Sequence, residues 1–244
     1  MKTTIALAVI ALLFSSHAMA DTYFVEVTGG YGLYAMDEVN AFIDDLNEDA
    51  GGDVLDKLES GGNFGLALTS RMTPRLSGAV TWEHLYASTK TTEGAASLDL
   101  NAPANVFKIS MAYHLIESGW IQPFIQGGGA IMTTRGHLKW QEGDDKIEHE
   151  FKGTGLHLDA DLGTYLTLSD RIGAKVTAGY RFAKLNELTY DASSFGGYGS
   201  FNGPGVDYSG WTVKLGINIK LNWGSGDEES RPKPETPVEN NNQM

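Results

Sequence analysis

No cysteine occurs among the 244 residues. That excludes a disulfide scaffold, a cysteine-ligated zinc or iron-sulfur site, a thiol enzyme and a cysteine-linked lipid anchor together. Basic residues are scarce as well, with 18 Lys and Arg against 31 Asp and Glu and a formal charge of -13. Phosphate backbones need a basic surface, so nucleic acid is not an expected partner. Long apolar runs are also missing beyond the first twenty residues, and the mean hydropathy is -0.21. A bundle of transmembrane helices, each needing about 20 mostly apolar residues, is therefore excluded. Glycine, by contrast, is plentiful at 30 residues.

Residues 1–20 carry a basic start at Lys2, an apolar run from Ile5 to Phe14, and small residues Ala18 and Ala20 around Met19. This is the pattern of a secretory signal cut after Ala20, with an apolar run too short to span a bilayer. The expected organisation is a signal peptide at 1–20, a barrel at 21–223 and a disordered periplasmic tail at 224–244. The tail is polar and carries Pro232, Pro234 and Pro237.

Within 21–223 the dominant signal has a period of two, the period of a strand whose side chains alternate between faces. Between Trp211 and Trp223 every odd position is apolar and every even one is polar or glycine. Seven further runs alternate, at 23–34, 63–72, 78–88, 105–116, 121–140, 147–168 and 172–190, although Gly127, Gly128 and Gly129 blur the faces of the fifth. Eight is an even number, suited to an antiparallel up-and-down barrel. Short joins after the even runs (around Pro74, Ser118 and Asp170) and longer ones after the odd runs match short periplasmic turns and long outer loops.

A soluble lipocalin-like barrel alternates in the same way but keeps its apolar face inside. Here one face carries Glu26, Arg71, Glu83, Lys108, Asp159, Asp161, Lys175 and Arg181, a set no lipophilic calyx tolerates. These residues form the expected lumen charge network. The opposite face carries Trp82, Tyr113, Tyr180, Trp211 and Trp223 as an expected aromatic girdle at headgroup level. Twelve strand steps of about 3.3 Å at a tilt near 45° rise roughly 28 Å, close to the apolar band of about 25 Å. The fold class is therefore all-β, an eight-stranded antiparallel transmembrane barrel with a short helical segment in its first outer loop.

The strand Gln122-Pro-Phe-Ile-Gln-Gly-Gly-Gly-Ala130 and the closing pattern Lys214-x-Gly216-x-x-Ile219-x-Leu221-x-Trp223, together with the eight runs, resemble the small OmpA/OmpX-type outer-membrane β-barrel proteins. The resemblance implies a bacterial outer-membrane location, contact with outer-membrane lipid, and handling by the barrel-assembly machinery, which reads such a closing strand. Ile219 and Leu221 stand where that group usually has aromatics.

An eight-stranded barrel is just wide enough for its interior to be filled by side chains, so inner charges should pair. A turn symmetric about Asp170 sets Asp159 opposite Arg181, and a charge-assisted hydrogen bond between them is expected. His157, Asp159 and Tyr165 share a face and are the conceivable acid/base set, but no serine stands at an obvious partner position. A structural lumen network is the reading adopted, with no catalytic residue and no cofactor.

In the first outer loop, Val39, Phe42, Ile43 and Leu46 have helical spacing, with Asp37 as the expected N-cap and a second short turn around Leu58. The apolar stripe is expected to be covered by the barrel mouth. Asp45, Asn47, Asp49, Asp53 and Asp56 are spaced roughly as a calcium loop, but Ala50 stands where the sharp turn demands glycine. A solvated acidic loop is the default. Residues 35–62 hold nine acidic side chains and one basic, so the chain's acidity is concentrated there and in the tail.

The functional expectation is a monomeric, non-enzymatic outer-membrane barrel with a structural or surface-interaction role and an unidentified extracellular ligand. The alternatives are a narrow transporter for small apolar solutes and a lipid-modifying enzyme.

Overall fold

The computed structural model describes residues 22–50, 56–93, 96–142, 145–185, 188–190 and 205–221. The elements, in chain order, are β1 (Thr22–Leu33), α1 (Asp37–Ala50), β2 (Ser60–Arg71), β3 (Leu76–Tyr86), β4 (Ser88–Glu93), β5 (Ala96–Asn101) and β6 (Ala104–His114). They continue with β7 (Ile121–Glu142), β8 (Asp145–Thr167), β9 (Ile172–Phe182), β10 (Lys184–Leu185), β11 (Leu188–Tyr190), β12 (Val206–Asp207) and β13 (Gly210–Leu221). The expected signal segment, the expected tail, Trp223 and Asp53 lie outside the described residues.

Eight of the strands close on themselves. β1, β2, β3, β6, β7, β8, β9 and β13 pair antiparallel in that order, and β13 returns to β1 with Val25 opposite Ile219 and Gly29 opposite Leu215. Closure leaves no edge within the wall, so every wall backbone group has an inter-strand partner. The joins β2–β3, β6–β7 and β8–β9 are short, and all lie at one end of the barrel.

The opposite end is more built up than loops alone. β7 and β8 run 22 and 23 residues and stay paired from Ile121 and Leu166 out to Glu142 and Asp145. A membrane strand needs about 9 to 11 residues, so this hairpin projects well past the wall. The second long join, expected as a loop, is instead the hairpin β4–β5, and β5 adds to the projecting edge of β7 with Asp99 opposite Lys139. On the other flank β11 pairs with β8.

The wall is inverted relative to a soluble barrel. Phe107, Ile109, Met111, Leu158, Leu162, Val213, Leu215 and Ile217 are all exposed on the outside. Every second residue points inward, and in β6 each of these from Ala104 to His114 is buried. The glycine run that blurs the fifth strand in sequence falls into the same register, with Phe124, Gln126, Ala130, Met132 and Thr134 inside and Ile121, Ile125 and Ile131 outside.

Helix α1 departs from the sequence reading in detail. Met36, at φ 46°, takes the cap position and accepts the Asn40 N–H at 2.8 Å, so Asp37 is the first helical residue rather than the cap. Of the second short turn expected at Val54, Leu55 and Leu58, the first two residues lie outside the described residues, and residues 56–59 are not helical. Leu58 is buried in an extended stretch that Asn40 pins, its side-chain oxygen accepting the Leu58 N–H at 2.8 Å.

Candidate functional site

The inward-facing residues change character along the barrel axis while the strand phase stays constant. On β8, Asp161, Asp159 and His157 give way to Phe151, and on β3 Glu83 gives way to Leu85. On β6, Ser110 and Lys108 are followed outward by Val106 and Ala104. The lumen is thus polar through its middle and apolar at the end carrying the long hairpin.

Four carboxylates (Glu26, Glu83, Asp159, Asp161) and four cations (Lys108, Lys175, Arg181, Lys214) are buried in the polar part. Such burial is tolerable because seven of these eight, all but Asp161, are in ion pairs at hydrogen-bonding distance. Toward the short-turn end, Glu26 Oε2 accepts from Lys175 Nζ at 2.9 Å, while its Oε1 accepts the hydroxyls of Tyr165 at 2.7 Å and Thr69 at 2.8 Å. Lys175 Nζ also sits 5.1 Å and 5.4 Å from the ring centroids of Tyr165 and Phe124, within cation–π range. Farther in, Glu83 takes Arg181 Nη2 at 2.5 Å on one oxygen and Lys214 Nζ at 3.1 Å on the other. Lys108 Nζ donates to Asp159 Oδ2 at 2.6 Å. Gly128, the register partner of Asp159, makes room for that carboxylate, since a Cβ there would lie 3.0 Å from Asp159 Oδ1 and 2.8 Å from the Ile109 carbonyl.

The structure corrects one expected partnership. Asp159 and Arg181 are register partners on β8 and β9, both facing the lumen, yet they form no ion pair with each other. Lys108 reaches Asp159 over the intervening β7, and Glu83 reaches Arg181 from the opposite wall. Arg71 also stands apart from the other seven expected network residues. It is half-buried at the short-turn end, where its guanidinium donates to Gln122 Oε1 at 2.7 Å, to the Pro74 carbonyl at 2.6 Å and to the Glu117 carbonyl at 3.3 Å.

The conceivable acid/base set is divided. His157 Nε2 lies 3.6 Å from Asp159 Oδ2, whereas Tyr165 belongs to the Glu26 cluster. One contact escaped the sequence reading: Ser77 Oγ lies 2.9 Å from His114 Nε2. The two sit on neighbouring strands 37 residues apart, and only their shared inward phase on paired strands gave any signal.

At the long-hairpin end, Val39 and Ile43 of α1 are buried in one cluster with Leu85, Leu100, Met132, Phe151, Leu185, Val206 and Tyr208. The helix therefore covers the barrel mouth with its apolar face, as its spacing predicts. The Tyr208 hydroxyl donates to the Ala102 carbonyl at 2.5 Å, and burial pushes its pKa up, which keeps that donor protonated. On the polar side of the helix, Glu38 accepts from Lys184 Nζ at 2.9 Å and from the Gly205 N–H at 2.7 Å. These two donors hold the Glu38 carboxyl below its usual range, and the same contact raises Lys184.

The calcium-like spacing is not realised as a loop. Asp45, Asn47 and Asp49 lie within α1, where two-residue spacing turns Asp45 and Asn47 to different sides: Asp45 is exposed and Asn47 is buried. Asp56 lies beyond the helix and is exposed. Among the described residues no group of three or more His, Asp or Glu is assembled to hold a metal.

Of the expected girdle residues, Trp211 packs edge-on to Tyr180 on the adjacent strand, centroids 5.5 Å apart, toward the long-hairpin end. Tyr113 lies at the other end, its hydroxyl accepting from Arg75 Nη1 at 3.2 Å, and Trp82 packs on Phe64 higher on the wall. Apolar side chains outside, paired charges inside and aromatics toward both ends make a consistent whole. This is the architecture of a small eight-stranded outer-membrane barrel.

No protein-family model matches the chain, and no curated protein is similar to it in sequence. Among solved structures the barrel is similar to a major outer membrane protein from Thermus thermophilus, with a TM-score of 0.47, 10% identity, and coverage of 82% of this chain and 99% of that one. It is also similar to Ail, the attachment invasion locus protein of Yersinia pestis (TM-score 0.44, 11% identity, 83% and 100% covered). A third similar structure is the outer membrane protease OmpT of Escherichia coli (TM-score 0.40, 10% identity, 83% and 97% covered). Overlap this distant assigns none of their activities to this chain.

Proposed function

We propose that this chain is a non-enzymatic bacterial outer-membrane barrel with a filled lumen, acting structurally or through surface contacts made by its projecting hairpin and α1 loop. The observation that carries the reading is the lumen itself. Paired charges occupy its middle and a buried apolar cluster capped by α1 occupies its outer mouth, so the interior is given over to packing. Lipid is the partner of the wall, because an exterior this apolar needs an apolar surround. A closed wall has no edge to offer, which favours a monomer. The reading includes export with removal of residues 1–20, insertion by the barrel-assembly machinery, and a tail at 224–244 on the periplasmic side.

The surface role falls to β7 and β8. About ten residues of each lie beyond a membrane strand's needs, an extension of roughly 30 Å along the strand. The test is complementation of a strain lacking the chain with a variant whose hairpin is cut back by joining Arg135 to Lys152, register partners, through a tight turn. The barrel should still insert and resist unfolding, while adhesion and envelope phenotypes are not restored. Full complementation by the shortened chain, or turnover of phospholipid or peptide substrates by the purified barrel, would overturn the reading.

A further inference from the structure

We infer that the short-turn end of the lumen is a binding site for a small organic carboxylate entering from the periplasm. A cavity of about 190 Å³ opens there, beneath the Glu26 cluster. At about 30 Å³ per water it has room for roughly six waters, which suits a ligand of several heavy atoms and excludes a lipid or a nucleotide.

The lining is electrostatically one-sided. Among the described residues lining it, Arg71, Arg171 and Lys220 stand against a single carboxylate, Asp170. Arg71 is held by its bonds to Gln122, Pro74 and Glu117, so its charge stays at the wall. Arg171 and Lys220 are set side by side at the rim because the Lys220 N–H donates to the Arg171 carbonyl at 2.8 Å. Glu26, behind Thr69 and Tyr165, is already neutralised by Lys175.

Behind the rim the wall is polar: His114 and Asn218, both buried, line the cavity, and Ser77 Oγ lies 2.9 Å from His114 Nε2. A carboxylate supplies the charge that the rim attracts and two acceptor oxygens for the cationic donors there. The rings of Phe24 and Tyr165 line the same cavity and suit a flat aryl group as the ligand's body.

The test is an NMR titration of the isotope-labelled full chain in zwitterionic micelles with benzoate, and with neutral benzamide as its isostere. Benzoate should shift the Asn218 side-chain amide saturably with a Kd of about 1 mM to about 10 mM, and benzamide should not. The double variant Arg171→Gln, Lys220→Gln changes two exposed residues and should weaken benzoate binding at least about tenfold with the rest of the spectrum unchanged. No saturation by about 100 mM, equal shifts with benzamide, or undiminished binding by the double variant would overturn the inference.

Discussion

Asp159 and Arg181 stand directly opposite one another on adjacent strands, both buried, yet each is bonded to a residue from a different wall of the barrel. Asp159 takes Lys108 from β6, and Arg181 takes Glu83 from β3. Glu83 and Arg181 join opposite walls, whereas Lys108 reaches Asp159 over the single intervening strand β7, so the lumen ion pairs tie together strands that are not neighbours, neighbouring strands being already held by their backbones.

Removing one end of such a brace leaves a buried charge alone. Lys108→Met should destabilise the barrel by about 3 to 5 kcal/mol, because Asp159 keeps its charge without its cation. The double variant Lys108→Met, Asp159→Leu should recover most of that loss, since two apolar residues replace a pair already expensive to desolvate. Urea unfolding in lipid vesicles reads both. A double-variant loss equal to the sum of the two single-variant losses would mean the two residues act independently.

Tyr165→Phe removes one of the three hydrogen bonds to Glu26 and leaves the ring over Lys175 in place. A hydrogen bond to a charged group contributes about 1.5 to 3 kcal/mol, and the expected loss in the same unfolding measurement falls in that range. A loss below about 0.5 kcal/mol would show that Lys175 and Thr69 satisfy the carboxylate unaided.

The apolar mouth makes α1 separable from the wall. Ile43, 2% exposed, sits in the mouth cluster, and Ile43→Asp would bury an unpaired carboxylate. The helix should detach and become cleavable by added protease, while the eight strands, stabilised by their own pairing and lumen contacts, stay folded. Unchanged protection of the loop in this variant would contradict the packing of α1 on the mouth.

Glu38 and Lys184 set a pH window for the same loop. Glu38 has a folded pKa below its ordinary 4.5, so its contribution is complete above that value and lost as the pH falls through the lowered one. Lys184 has a folded pKa above its ordinary 10.5, so its contribution is complete below that value and lost as the pH rises through the raised one. Protection of the Gly205 amide, which donates to Glu38, should be constant from about pH 6 to about pH 9 after correction for intrinsic exchange, and should fall below about pH 4. Protection that persists to about pH 2 would show that the amide is held by something else.

Much of the barrel is legible in the sequence because alternation is a local property. Val213, Leu215 and Ile217 declare the outside of β13, and Thr212, Lys214 and Asn218 the inside, without knowledge of any neighbour. Register followed where a turn was short, as with Asp159 opposite Arg181. The bonding partners did not, because Lys108 reaches Asp159 diagonally over Gly128 of the intervening β7, 51 positions away in sequence, and alternation within one strand says nothing of the strand two places along. Phe151, Leu185 and Leu85 were in phase with the inner charges throughout, but an apolar residue on a polar face reads as a blemish until several strands place theirs at one level. The oxygen-bearing residues of the first loop read as a solvated acidic segment, and the sequence did not show that α1 continues through Asp45, Asn47 and Asp49.

The filled lumen is the central claim, and single-channel recording of the purified full chain in planar bilayers tests it most directly. Wild-type protein should give no conductance steps at neutral pH, and variants that enlarge the middle of the lumen, such as Lys108→Ala with Asp159→Ala, should open small ones. Regular ohmic steps from the wild-type chain would contradict a filled lumen.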